Sequence, residues 1–443
     1  MESKTFRGGV HPEGFKHLSK GQPVKPYLPK GDLVFPINQH IGKPASPVVA
    51  KGDRVLAGQI IAEADGFVSA NIISSCSGTV KAIEQRYNAA GARCTCIVIE
   101  NDGEYTLAPG IGKTRNEGTA SSKDILDAIK AAGIVGMGGA GFPTHVKLSS
   151  KDPEAIDYVI ANGAECEPYI TCDDRLMQDK NREIVEGLRL VLQLFPNAQG
   201  IIAIEDNKPD AIKAMEAVCA GEKQIHVQPC AAKYPEGGER NLISVVTGRD
   251  LRFGQLPAEL GCVVCNVSTL SAIYRAVYKS EPLMERYFTV SGDAVANPCT
   301  MIVKMGTNCT ELIEECGIKE GVTVKKVLSG GPMMGIALNT TDVPVCKNNN
   351  ALTVLAEDEV ELAENEMTAC IRCGRCTHAC PIHLTPQLMA EAAEHKDYER
   401  FEKKLYGLDC IFCGSCTYIC PAKRPLMQLF KETKGAILAA KRK

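Results

Sequence analysis

The chain has 443 residues, 50 basic against 53 acidic side chains, a formal charge of −3 and 44% hydrophobic residues. That length predicts three or four domains, the balanced charge argues against a nucleic-acid-binding surface, and no stretch approaches the roughly 20 apolar residues of a membrane helix. Trp is absent and aromatics make up 5%, so stacking-based binding surfaces are not expected. The amino-terminal MESKTFRGGVHPEGF has no apolar signal segment. Many of the 21 cysteines sit singly or in apolar settings such as LGCVVCNV, which predicts a reducing compartment, the cytoplasm.

Residues 1–30 are basic and rich in Gly and Pro and read as an extended arm. From residue 33 to about 84, short Val/Ile-rich runs broken by Gly, Asp and Ser predict an all-β unit. Its K-G-D-x-V-x-x-G-Q-x-I and S-G-T-V-x-x-I patterns resemble biotinyl- and lipoyl-type barrel sandwiches. The turn that would carry a modified lysine reads EADGFVSA and has none, and Lys81 lies in the following strand, so residues 1–115 read as arm plus structural barrel. A polar linker ends at Ser121 or Ser122, either able to cap a helix bearing Ile125, Ile129 and Ala132.

An α/β rhythm follows over 120–288: strands at 157–163, 200–206 and 224–229, helices at 176–195 and 208–221, hence a mainly parallel sheet covered by helices. Residues 289–345 read as a small α+β domain, ubiquitin-like, and the NNN at 348–350 as a linker. The remainder, 355–443, holds the densest chemical signal.

Cys370, Cys373, Cys376 and Cys380 follow C-x2-C-x2-C-x3-C and precede Pro381; Cys410, Cys413, Cys416 and Cys420 repeat the spacing and precede Pro421. Three thiolates at this spacing wrap one face of a cubane, and in two-cluster ferredoxins the fourth ligates the other cluster. The assignment is Cys370, Cys373, Cys376 and Cys420 for one four-iron cluster, and Cys410, Cys413, Cys416 and Cys380 for the second. Zinc sites use pairs of cysteines rather than triplets with a trailing Cys-Pro, and disulfides suit secreted chains. His145 and His383 read as structural, since the cysteine sets are complete. The insert between the motifs is rich in helix formers, with Leu388, Ala392 and Leu405 as candidate core, and resembles the α-helical ferredoxin domains of respiratory dehydrogenases.

GMGGAGFPTHVKL, residues 136–148, carries four glycines in six positions, which lets backbone N–H groups approach a phosphate or a flat ring. It is neither the G-x-G-x-x-G dinucleotide fingerprint nor a P-loop. Alone it is a weak signal, and Glu165, Glu167, Lys147 and Tyr234 each have an ordinary surface or half-buried alternative. Together, in this order, GxGGAGFPT, N-x-x-E-x-E-P (162–168), Y-x-x-G-x-E (234–239) and N-V-x-T (266–269) resemble the NADH- and FMN-binding subunit of respiratory complex I. With GGVHPEGFKHL, the barrel and the doubled cluster motif, the whole chain resembles the RnfC family, components of the Rnf complexes, which are ion-translocating ferredoxin:NAD oxidoreductases.

The resemblance implies noncovalent FMN, NAD(H) as substrate and two four-iron clusters. It implies an SLBB-like fold for 289–345 and a peripheral place on the cytoplasmic membrane face. Partners would be membrane subunits that move Na+ or H+ and a ferredoxin-type iron–sulfur subunit. Gly136, Gly138, Gly139, Ala140, Gly141, Thr144 and Lys147 would cradle the flavin and its phosphate. Asn162, Tyr234, Gly237, Asn266 and Thr269 would contact it. Glu165, Glu167 and Glu239 would line the nucleotide site, with Phe142 packing on a ring and the acids favouring NADH over NADPH. No side chain acts as catalytic acid or base, since hydride passes between cofactors. Met137, Ala164 and Gly238 stand where the complex I protein has Arg, Asp and Glu, which a cluster scaffold with a dead flavin site would also show. A soluble cobalamin-reductase-like flavin protein is the alternative; the complete arm and barrel favour the Rnf family.

Overall fold

The computed structural model describes residues 2–252 and 254–441. The barrel consists of two antiparallel sheets. One orders Leu33–Pro36, Arg93–Asn101, Gly78–Tyr87 and Arg54–Val55; the other orders Ser46–Pro47, Ile60–Glu63 and Ile72–Ile73. Phe35, Val55, Ile61, Val80, Ile97 and Ile99 fill the space between them.

The α/β unit is built on an all-parallel sheet ordered Ile225–Cys230, Gln199–Glu205, Tyr158–Gly163, Cys262–Asn266. Its strands are apolar throughout because both faces are covered. Val159 and Ala161 belong to the core with Leu188 and Val191 of the helix Asn181–Leu192; Ile160 faces Leu242 and Ile243 of the helix Glu239–Thr247. Ser121 caps the helix Ser122–Ala131 in a reciprocal pair with Asp124. The single helix expected over 176–195 is two, Cys172–Asp179 and Asn181–Leu192, broken where Lys180 leaves helical geometry at φ −128°.

The third unit exceeds its expected span. A six-stranded mixed sheet orders Lys25–Tyr27, Cys299–Lys304, Glu285–Ser291, Ala351–Leu355, Lys326–Ser329 and Ile336–Ala337, with the helix Cys309–Cys316 against it. Two corrections follow. The amino-terminal arm is not a free extension: it supplies an edge strand parallel to Cys299–Lys304. The NNN tract is not a loose linker: Asn349 is buried, its Oδ1 accepts from Cys346 N at 2.7 Å, Asn350 O accepts from Thr289 N, and the next residues form a strand inside the sheet.

From 356 to 441 the described residues contain helices and turns and no strand. Met389, Ala390, Ala392, Phe401, Leu426 and Phe430 form this core, to which Leu405 packs; Leu388, expected inside, is exposed, and the neighbouring Met389 takes its place. Among the described residues no helix is long and apolar enough to cross a membrane.

Candidate functional site

In the parallel sheet the chain moves outward from Tyr158–Gly163 through Gln199–Glu205 to Ile225–Cys230, then returns to the opposite side with Cys262–Asn266. The order therefore reverses between Tyr158–Gly163 and Cys262–Asn266, whose residues Asn162 and Asn266 are register partners. Connections leaving those two strand ends diverge and open a crevice, the usual ligand position in such sheets.

The predicted segments converge there. The glycine loop closes on itself through Gly136 N to Phe142 O at 2.9 Å, and Met137 N donates to Thr269 Oγ1 at 3.1 Å. Gly138 lies against Asn266, whose amide nitrogen would be 2.6 Å from a Cβ there; at Gly139 a Cβ would meet nothing within 4 Å. Gly138, Gly139 and Ala140 are exposed, Phe142 is half-buried, and Gly141 and Thr144 are buried behind them. Asn162 donates to Gly237 O at 2.9 Å, and Gly237 is packed so closely on Ala164 that a Cβ would fall 2.1 Å from its carbonyl. Lys147 Nζ reaches Glu239 Oε1 at 3.2 Å and Val264 O at 2.9 Å. The crevice thus has one cation, exposed glycine backbone and a floor of strand-end amides, a donor set that fits a phosphorylated flat ring.

Three predicted residues point elsewhere. Glu165 is buried and accepts from Asp173 N at 2.8 Å and Asp174 N at 3.4 Å, capping the helix Cys172–Asp179, with Lys16 at 3.9 Å; burial pushes its carboxyl up to about 7. Glu167 accepts from Met333 N at 3.1 Å and Met334 N at 2.8 Å, and burial likewise pushes it up to about 7. Tyr234 is fully buried, and its hydroxyl donates to Cys413 O at 2.7 Å. Of the acids expected at the nucleotide, Glu239 alone reaches the crevice. Arg240 is committed to the carbonyls of Leu251 and Asp409.

Two site-building residues are not apparent from the sequence motifs. Asp173 accepts from Asn266 Nδ2 at 2.7 Å and Ser268 Oγ at 2.9 Å, fixing the strand end. Arg286, buried in an apolar strand, donates to Lys347 O at 2.7 Å and Met137 O at 3.3 Å and so holds the glycine loop from below. A lone Arg inside ERYFTVS is the available signal, since a buried cation requires partners.

The two cysteine motifs fold as one turn made twice. Arg372 and Phe412 take φ of 56° and 55°, Gly374 and Gly414 of 75° and 79°, His383 and Lys423 of 58° and 53°. A cavity of about 410 Å³ is lined by Cys370, Cys373, Cys376 and Cys420. Another of about 370 Å³ is lined by Cys380, Cys410, Cys413 and Cys416. Four thiols converging on each space, with few other polar atoms, fit a cubane. The sets differ in depth: Cys370 and Cys373 are exposed, whereas Cys380, Cys413 and Cys416 are buried. Burial without a counter-cation pushes the Cys410 thiol up to about 12 and raises Cys413. The deeper set faces the α/β unit, through Tyr234 to Cys413 and Arg240 Nη1 to Asp409 O at 3.1 Å.

Comparison with known proteins agrees with this division. Residues 4–104 match the RnfC barrel sandwich hybrid domain, 129–275 the Nuo51 FMN-binding domain and 363–427 a 4Fe-4S dicluster domain. The chain is 44% identical, over 99% of its length and 95% of the relative's, to the RnfC-type component of the proton-translocating ferredoxin:NAD(+) oxidoreductase complex of Clostridium ljungdahlii. It is 41% identical, over 99% of its length and 98% of the relative's, to the counterpart in the Na(+)-translocating complex of Acetobacterium woodii. An NAD+-reducing [NiFe]-hydrogenase in the H2-reduced state superposes with a TM-score of 0.50 at 21% identity, over 76% of this chain and 66% of that one, a likeness of fold alone. The chain belongs to the RnfC family, components of ion-translocating ferredoxin:NAD(+) oxidoreductase complexes.

Proposed function

We propose that the crevice holds FMN noncovalently and admits NAD(H) beside it, and that the chain carries electrons between NAD(H) and two four-iron clusters. FMN supplies the exchange between a two-electron hydride and single electrons. The loop Gly136–Gly141 offers backbone N–H groups and, at Gly139, open space for a ring. Lys147 exchanges one of its two partners for the phosphate. Asn162, Gly237, Asn266 and Thr269 form the floor, Phe142 and Thr144 back the loop, and Glu239 is placed to orient ribose hydroxyls. Glu165, Glu167 and Tyr234 hold this architecture from behind.

Cys370, Cys373, Cys376 and Cys420 ligate one cluster, and Cys410, Cys413, Cys416 and Cys380 the other. The observation that carries the proposal is that one short segment, 234–239, walls the crevice through Gly237 and touches Cys413 through Tyr234. The buried set is accordingly the one next to the flavin, and the exposed set is the outlet to a partner protein. By the same reading the chain sits peripherally on the cytoplasmic face of the membrane. Membrane-spanning partners, with a ferredoxin-type iron–sulfur protein, couple ferredoxin:NAD+ oxidoreduction to Na+ or H+ movement. The domain division proposed is 1–115, 120–288, an SLBB-like unit at 289–345 extended by the strand Ala351–Leu355, and 355–443. The family match across arm and barrel favours this over a soluble cobalamin reductase.

The test is anaerobic purification with flavin, iron and sulfide quantified. About one FMN and about eight irons per chain are expected; iron near four, or zinc in its place, contradicts the proposal.

A further inference from the structure

The motif Gly8-Gly9-Val10 takes no part in the chemistry above, yet it lies between the two redox sites. Val10 pairs with Tyr234 through both backbone hydrogen bonds, each 2.9 Å. Gly9 N donates to Ala379 O at 2.9 Å, on the residue preceding Cys380. Gly8 has φ +92°, and a Cβ there would fall 2.6 Å from Cys380 O; Gly9 has φ +78°, and a Cβ there would fall 2.6 Å from Tyr234 O. Both positions therefore demand glycine twice over, for backbone conformation and for space. The Val10 side chain closes an apolar cluster with Tyr234, Ala379 and Cys413.

The strap is tied down on either side. Lys4 N donates to Pro229 O at 3.1 Å and Ala231 N to Lys4 O at 2.8 Å. Beyond it, Phe15 stacks on Tyr169 with centroids 4.6 Å apart, and Lys16 Nζ donates to the carbonyls of Glu167 and Ile170. Tyr234, held by Val10, donates its hydroxyl to Cys413 O and leads three residues on to Gly237 in the crevice wall.

We propose that Gly8, Gly9 and Val10 are positioning residues for the one-electron step, a strap that fixes the Tyr234 segment of the crevice against Cys380 and Cys413 and so sets the gap the electron crosses. This rests on the function proposed above. One electron leaves the flavin and one arrives at the buried cluster; no bond forms or breaks in the strap and no proton is needed there. Because the rate of such a step depends steeply on separation and orientation, a shift near 1 Å is enough to matter, as for any positioned reaction.

The experiment uses full-length protein purified anaerobically, with Gly8→Ala, Gly9→Ala and Val10→Ala. Flavin and iron content, the rate of flavin bleaching by NADH, the later rate of cluster reduction, the EPR spectrum of the dithionite-reduced clusters and hydrogen exchange at the Gly9 and Val10 amides are measured. Flavin and iron should be retained and bleaching should stay within about twofold, while cluster reduction slows about tenfold or more in the glycine variants and less in Val10→Ala. The EPR signal of the buried cluster should shift and that of the exposed cluster should not. Wild-type cluster reduction and spectra in all three, with the two amides exchanging freely, overturn the proposal. If the glycine variants lose iron, Val10→Ala decides: an unchanged EPR spectrum and rate in it refute the strap. If the wild-type protein binds no flavin, the functional proposal fails instead, and the strap is judged on amide protection and the dithionite-reduced spectra alone.

Discussion

Lys147 is the one crevice cation among the described residues, and it is already engaged by Glu239 and Val264 O. A phosphate oxygen replaces a half-exposed carboxylate as its partner. A hydrogen bond to a charged group contributes about 1.5–3 kcal/mol. Lys147→Ala should therefore weaken FMN binding roughly tenfold to a hundredfold, read as flavin retained after gel filtration; full retention contradicts the assignment. Gly139→Val should act differently. A Cβ there meets nothing, so folding and iron content should survive while the side chain enters the ring's space. Loss of flavin without loss of iron is the expected result.

Glu165 and Glu167 read in sequence as strand-end carboxylates aimed at a ligand, and nothing local to them signals that backbone amides at 173–174 and 333–334 capture them. Their burial has a consequence in pH. Both are pushed to about 7 from an ordinary 4.5, so over that interval the folded chain keeps protons that the unfolded chain has released. Stability contributed by these groups falls as pH rises between those values and stays lower above them. Glu167→Gln keeps an acceptor for a backbone amide and removes the titration. The thermal midpoint of the wild type should drop more between about pH 5 and about pH 8 than that of the variant; parallel curves would show that Glu167 is ionised throughout.

At the scale of elements, what is legible in the sequence has a local cause. The Ser121 cap, the apolar parallel strands and the doubled cysteine turn are each written in contiguous residues, and each forms where expected. What is not legible depends on distant partners. The strand Ala351–Leu355 forms because Glu285–Ser291 and Lys326–Ser329 flank it, and Lys25–Tyr27 becomes a strand only beside Cys299–Lys304. Leu388 is exposed because the helix Pro386–Glu394 turns Met389 and Ala392 inward, a rotation of one position that a short window does not fix. The repeated turn carries its own test. Cys380 shares a cavity with Cys410, Cys413 and Cys416, so Cys380→Ser should damage that cluster and spare the one of Cys370, Cys373 and Cys376. EPR showing the reverse loss would place the ligands within each motif.

Across the whole molecule, the crevice, the buried thiols and the exposed thiols lie in sequence, with the arm threaded along the first two. The nucleotide preference belongs to this scale because it depends on which acids finally face the opening. With Glu165 and Glu167 turned inward, Glu239 remains, and Arg240 is occupied by two carbonyls. A 2′-phosphate finds a carboxylate and no free fork to receive it, so NADH should reduce the flavin faster than NADPH in stopped-flow; equal rates would contradict this.

The central claim is that electrons reach both clusters from NADH by way of a flavin in the crevice. The most direct measurement is EPR of Gly139→Val protein, depleted of FMN but loaded with about eight irons, after reaction with NADH and separately with dithionite. The account predicts cluster signals with dithionite and none with NADH, while wild-type protein gives both. Cluster reduction by NADH at the wild-type rate in the flavin-free variant would contradict it.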